Sequence, residues 1–401
     1  MNQPSQTPDS PRRSLTGVLF AYGFRTFFIL AGLWAMLAMG VWLGYLKGVW
    51  QPELFLNPIW WHGHEMLIGF VGAAAAGFLL TASPNWTKQP PLTGRPLMGM
   101  VVLWFLGRCA IGFSAFLPVW LVSLVDMAFP IALLMVVAPP LWTTGMMGHR
   151  VFPILLGVLF TGDLLIHLEA LGLTDETAYR GLYLGVDAMV AFLVMVGGHI
   201  MPMFTKSSFQ EHGIDVQFKT PALIEYTAMA AMLPVLIGDV VVMDHPVFGW
   251  ILIVVGGLQA LRLATWHSFK TLNTPLLWVL HLGYLWIVMG LLLRGGAIIF
   301  DWMPQSTAIH ALTVGAMGLF TAGIMSRIAL LHTGRTLKHS GWVTLFFLLL
   351  PLAALLRIGF PELPGDLNIL LSGLFWIIGY GIFLVYFSPM LVKPRADGQP
   401  G

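Results

Sequence analysis

Charge is what this sequence has least of. Asp, Glu, Lys and Arg make up 9% of its 401 residues, against 57% apolar residues and a mean hydropathy of +0.82. A soluble domain carries about 25% charged residues, so this chain cannot solvate a globular surface. Cysteine is nearly absent: Cys109 is the single one. That excludes a disulfide within the chain and any zinc or iron–sulfur site built from several thiolates. Long polar stretches between the apolar runs are missing too, which leaves no room for an inserted soluble domain. The polar N-terminus MNQPSQTPDSPRR is not followed by a short apolar core with a cleavage site, so it does not read as a signal peptide.

What is present is one apolar run after another. A membrane helix needs roughly 20 apolar residues. Twelve such segments are expected, at about 22–44, 63–83, 97–116, 118–139, 151–170, 181–202, 221–242, 247–267, 276–295, 306–329, 341–359 and 368–391. Turn-rich breaks separate them, among them SPNWTKQPPLTGRP, TKSSFQEHGIDVQFKTP and FPELPGDLN. The expectation is an all-α, polytopic integral membrane protein: a disordered tail at 1–17, a single twelve-span domain at 18–392 and a polar tail at 393–401. The 20 basic residues set its orientation. With the N-terminus in the cytoplasm, Lys47, Arg180, Arg294 and Arg357 fall outside, Arg108 lies within a span, and the rest lie on or near the inner side. This positive-inside asymmetry places both termini in the cytoplasm.

One pattern repeats. From His64 the sequence runs H-x4-G-x2-G-x4-G through Gly69, Gly72 and Gly77; from His310 the same offsets reach Gly315, Gly318 and Gly323. Small residues at this spacing let helices or a flat cofactor approach closely.

Polar residues in a span are costly and point to function, and imidazole is a common metal ligand. By depth, His62, His64 and His310 belong near the outer face, with His167 at a span end and His245 in a loop. His149, His199, His267, His281 and His332 belong near the inner face; His212 and His339 read as loop residues. On a continuous helix His62 and His64 point about 200° apart, which suits two neighbouring centres. If the helix instead starts after His62, the pair could converge. Glu65, one turn from His62, could hydrogen-bond to it or pass protons. Asp126, Asp163 and Asp187 are the other intramembrane acids, either a proton path or structural partners, for example of Arg108. On the inner side SRIALLHTGR gathers Arg327, His332 and Arg335, as haem-propionate partners or as positive-inside anchors. His281 lies within the ninth span and is a better ligand candidate than His267 at a span end.

The stretches YGFRTFF (22–28), WHGHEMLIGFVGAAAAGFLLTASPNWT (61–87), GGHIMPMFT (197–205), PLLWVLHLGY (275–284), HALTVGAMG (310–318) and SRIALLHTGR (326–335) resemble the NnrS family of bacterial membrane proteins. The resemblance implies haem and copper as cofactors and a role in denitrification and nitric oxide tolerance. It carries over to His62, His64, Glu65, His281, His310, Arg327, His332 and Arg335: the histidines as metal ligands, Arg327 and Arg335 as cofactor-binding, Glu65 as the catalytic acid. The family often has Pro where Thr26 stands and Arg where His199 stands, so His199 stays out of the ligand set. The expected setting is the bacterial inner membrane, with nitric oxide or another small ligand and the lipid bilayer as partners, quinol as a candidate electron source, and no nucleic acid. A nitric oxide reductase, a secondary transporter of a metal or small molecule, and a non-catalytic nitric oxide or metal binder all stay open.

Overall fold

The computed structural model describes residues 14–51, 53–143, 147–211, 213, 220–338 and 340–399. His212 and His339 lie outside the described residues. All regular structure among the described residues is helical. Twelve helices are long and apolar enough to cross a bilayer: α1 Gly23–Leu46, α2 Pro58–Thr87, α3 Gly94–Gly112, α4 Val119–Thr143, α5 Gly148–Ala170, α6 Thr177–Glu211, α7 Ala222–Val241, α8 Pro246–Ala264, α9 Pro275–Phe300, α10 Gln305–His332, α11 Gly341–Gly359 and α12 Pro364–Leu391. The protein is a multi-pass membrane protein.

Several boundaries differ from the sequence reading. Asn57 caps α2, its side chain accepting from Ile59 N at 2.8 Å, and Pro58 takes the first helical position. Both are helix-start residues, so α2 begins five residues before position 63 and His62 lies inside it. The stretch 205–221, read as a break, continues as helix to Glu211. At 35 residues, α6 is about 52 Å long and extends past a hydrocarbon core of roughly 30 Å. α3 stops at Gly112, and Ser114–Phe116 forms a separate 3-10 turn. α7 breaks at Ala231, because Pro234 lacks the N–H that would bond the Ala230 carbonyl.

Consecutive helices pack as antiparallel hairpins, and α12 returns to α1. Arg25 of α1 donates to the carbonyls of Leu391 and Lys393 at 2.7 and 2.8 Å, tying the two ends of the chain together at one end of the bundle. α2, α6 and α10 form the centre: their most apolar windows are 89%, 83% and 83% buried, against 28% for peripheral α7. The centre is where glycine and alanine replace bulk, as in GAAAAGF of α2.

The repeated glycine pattern has a structural counterpart. Immediately after His64 the helix widens into a π-turn over Glu65–Val71, and immediately after His310 it does so over Ala311–Met317. Each glycine five residues past its histidine seats a tryptophan of the preceding helix. A Cβ on Gly69 would lie 2.4 Å from Trp34 Nε1, and one on Gly315 would lie 2.6 Å from the Trp286 ring. The α1–α2 and α9–α10 hairpins therefore repeat one packing device. π-turns are rare and concentrate at functional sites.

Candidate functional site

Two polar sites flank α2 where it enters its π-turn. The helix is continuous from Pro58, so His62 and His64 face different surroundings, as their spacing requires. The alternative in which both converge on one ion does not occur.

His64, fully buried, faces a cluster contributed by α3, α4 and α5. Its Nε2 lies 3.0 Å from Asp126 Oδ2 and 2.9 Å from Asp163 Oδ1, and its Nδ1 lies 3.0 Å from Glu65 Oε1. His167 Nε2 reaches the same Asp126 oxygen at 3.0 Å and stands 3.8 Å from Asp163 Oδ1. Arg108 bridges the acids, donating from Nη1 to Glu65 Oε1 at 2.8 Å and from Nη2 to Asp126 Oδ1. Trp34 donates its indole N–H to Glu65 Oε2 at 2.7 Å. Glu65 thus bonds to His64 and not to His62. All these ionisable groups are at most 4% exposed. Beyond the 2.9 Å approach of His64 Nε2 to its Oδ1, Asp163 has no hydrogen-bond partner among the described residues, and His167 Nδ1 is buried without one.

His62 faces the other way, into a cavity of about 200 Å³ lined by α1, α2, α6, α10 and α12 with Arg357 of α11. Trp42 stacks on its ring, centroids 4.6 Å apart. His310 lines the same cavity, its Nδ1 donating to Ser306 O at 2.5 Å. That bond puts the imidazole lone pair on Nε2. His62 Nδ1 is buried without a hydrogen-bond partner. Met39, Met66, Phe70 and Trp376 build the apolar wall, and Arg357 supplies a cation.

The remaining candidates stand elsewhere. His281 has a hydroxyl at each ring nitrogen, Thr205 Oγ1 at 3.0 Å from Nε2 and Ser268 Oγ at 2.9 Å from Nδ1. His332, 22 residues along α10 from His310, is roughly 33 Å away and belongs to the opposite end of the bundle. It packs on Phe24, Arg327 lies over the Phe204 ring, and Arg335 donates to Thr333 O. The structure brings together His62 with His310, and His64 with Glu65; among the described residues no contact joins Arg327, His332 or Arg335 to either group.

Asp126, Asp163 and His167 were not singled out as ligands by the sequence. The available signal was Asp163 and His167 at i, i+4 on one helix face, both near one membrane depth with Asp126. The other intramembrane acids have structural partners. Asp187 and Asp239 both pair with Arg294, Glu225 pairs with Arg262, and Glu169 Oε2 accepts from Ala178 N at 2.6 Å at the start of α6.

No curated protein matches the sequence. The family model of the NnrS protein matches residues 18–395, from before the first span to beyond the last, and the chain belongs to that family.

Proposed function

We propose that this chain is a bacterial inner-membrane protein of the nitric oxide response, binding nitric oxide at a metal held by His62 and His310. The observation that carries the reading is the pairing of two imidazoles, from different spans, in one apolar cavity. Each ring is fixed from behind, His62 by the Trp42 stack and His310 by the Ser306 carbonyl. Such outer contacts orient metal-binding imidazoles.

The donor set fits copper. Two imidazoles line the cavity together with Met39, Met66 and Met317, and soft sulfur with imidazole suits copper(I). Haem iron would accept the same imidazoles, and Arg357 in the lining is a partner for a propionate. The cavity of about 200 Å³ holds an ion and a diatomic gas; metal analysis and the optical spectrum distinguish copper from haem.

The bound metal would supply reversible coordination of nitric oxide. The chain's residues do the rest: Leu67, Phe70, Val186 and Trp376 exclude water, and the apolar wall admits a small uncharged gas. Glu65, with one oxygen on His64 and Arg108 and the other on Trp34, positions the His64 side of α2.

The test is a reduced-minus-oxidised optical spectrum of detergent-purified protein before and after anaerobic nitric oxide, with iron and copper measured on the same sample. Stoichiometric copper or haem with a signal that changes on nitric oxide supports the reading. Metal-free, well-folded protein from a metal- and haem-replete host refutes it and favours a transporter.

A further inference from the structure

We propose that His64, Asp126, Asp163 and His167 form a second metal site, separate from the His62–His310 cavity, for a divalent first-row ion of the zinc(II) type. Geometry is the first support. Four ligand atoms from three helices lie within 4.8 Å of one another, all buried. A tetrahedral ion with bonds of about 2.0–2.1 Å sets its ligand atoms about 3.4 Å apart. The observed separations of 2.9, 3.0, 3.0 and 3.8 Å straddle that value.

Charge is the second. Glu65, Asp126 and Asp163 bring three carboxylates into a buried space where, among the described residues, Arg108 is the one permanent cation. With both histidines neutral the cluster is two positive charges short. Buried charge without compensation is strongly unfavourable. Two bound protons, on the imidazoles or the carboxylates, or one divalent metal ion would balance it.

Hydrogen bonding decides between these. His64 suits an imidazolium, since a carboxylate faces each of its nitrogens. The His167 Nδ1–H is buried with no acceptor whether its Nε2 carries a proton or a metal, so the carboxylates discriminate: both Nε2 atoms reach for one oxygen, Asp126 Oδ2, which leaves Asp163 Oδ1 a share of the His64 proton at 2.9 Å and Asp163 Oδ2 without a partner. A proton-filled network would stay half satisfied, an arrangement that native interiors rarely keep. A cation at the convergence point would instead take the Asp163 carboxylate and both Nε2 lone pairs. Glu65 on His64 Nδ1 then forms the carboxylate–histidine–metal arrangement that fixes a ligand's tautomer.

Ligand chemistry selects the ion. Two carboxylates with two imidazoles and no sulfur disfavour copper(I), and the imidazoles disfavour magnesium and calcium; zinc(II), iron(II) and manganese(II) fit. Phe55, from the segment before α2, stacks on His167 at 6.0 Å and covers the site.

The experiment uses full-length protein in detergent, stripped with a chelator and reloaded with zinc(II) alone or cobalt(II) alone. We expect about one tightly bound ion per chain and a tetrahedral cobalt d–d spectrum. Asp163→Asn and His167→Ala should each abolish stoichiometric retention, and Glu65→Gln should weaken binding about 10–100-fold. X-ray absorption on the unmutated zinc form should give only nitrogen and oxygen neighbours at about 2.0–2.1 Å, a readout that needs no variant to fold. No retained ion, a sulfur neighbour, or full retention by Asp163→Asn and His167→Ala would overturn the proposal. So would loss of the ion in His310→Ala alone, which would place it in the other cavity.

Discussion

Replacing Arg108 by Met tests the electrostatics of the buried cluster. The guanidinium holds Glu65 Oε1 at 2.8 Å and pairs with Asp126, and all three residues are at most 4% exposed. Methionine keeps much of the side chain's length and removes its charge. Taking one partner from a buried ion pair costs about 3–5 kcal/mol, because the remaining charge is left uncompensated. Here one cation serves two acids, so we expect a loss within or above that range. At 1.4 kcal/mol per factor of ten, this lowers the folded-to-unfolded ratio by about two to three and a half powers of ten. The assay is equilibrium unfolding of metal-stripped protein in mixed micelles. A triple variant, Arg108→Met with Glu65→Gln and Asp126→Asn, should recover more than half of the loss, since it removes the stranded charges together with their partner. A single Arg108→Met variant within about 1 kcal/mol of the parent would refute the reasoning, as would a triple variant no more stable than the single one.

Other expectations follow from the same geometry. Gly69→Ala puts a methyl 2.4 Å from Trp34 Nε1 and pushes the indole off Glu65; overpacking of this kind costs about 1–3 kcal/mol, and an unchanged tryptophan emission spectrum and stability would contradict it. Gly315→Ala against Trp286 should cost a similar amount, because the two hairpins repeat the contact. Thr205→Val removes the hydroxyl at His281 Nε2 and should cost about 1–3 kcal/mol in the same unfolding assay, since the buried ring atom loses its partner. Beyond the last span, the hydrogen bond from Arg395 holds the Asp397 carboxyl down at about 2, against an ordinary 3.8. The contribution of a carboxyl lowered in this way is whole above its ordinary value and lost as pH falls toward 2. A carboxyl NMR titration with a midpoint near 3.8 would contradict that contact.

The spans were legible because hydrocarbon thickness dictates their length, and twelve apolar runs leave little choice. The divergence of His62 and His64 was legible only for a helix that already includes His62, at about 100° per residue; the sequence alone left that start open, and the Asn57 cap before Pro58 sets it. The H-x4-G-x2-G-x4-G echo marked both π-turns, although nothing in local sequence announces the widened turn itself. The buried cluster was hidden for a different reason. Asp126 and Arg108 come from α4 and α3, Asp163 and His167 from α5, and their meeting with His64 depends on how three hairpins pack. His167 read alone resembles a helix-end histidine hydrogen-bonding to a headgroup; only its distance to Asp126 shows otherwise. Glu65 shows the limit of counting along one helix. Three residues from His62, it turns to His64, Arg108 and Trp34, because the charge it needs lies on α3.

The central claim is that His62 and His310 hold the metal that binds nitric oxide. Its most direct test is the anaerobic nitric oxide difference spectrum, with electron paramagnetic resonance, of the parent protein and of His62→Ala and His310→Ala variants purified at equal yield. The account predicts a metal–nitrosyl signal in the parent that both variants lose together with the metal. A signal of full intensity in either folded variant would contradict it.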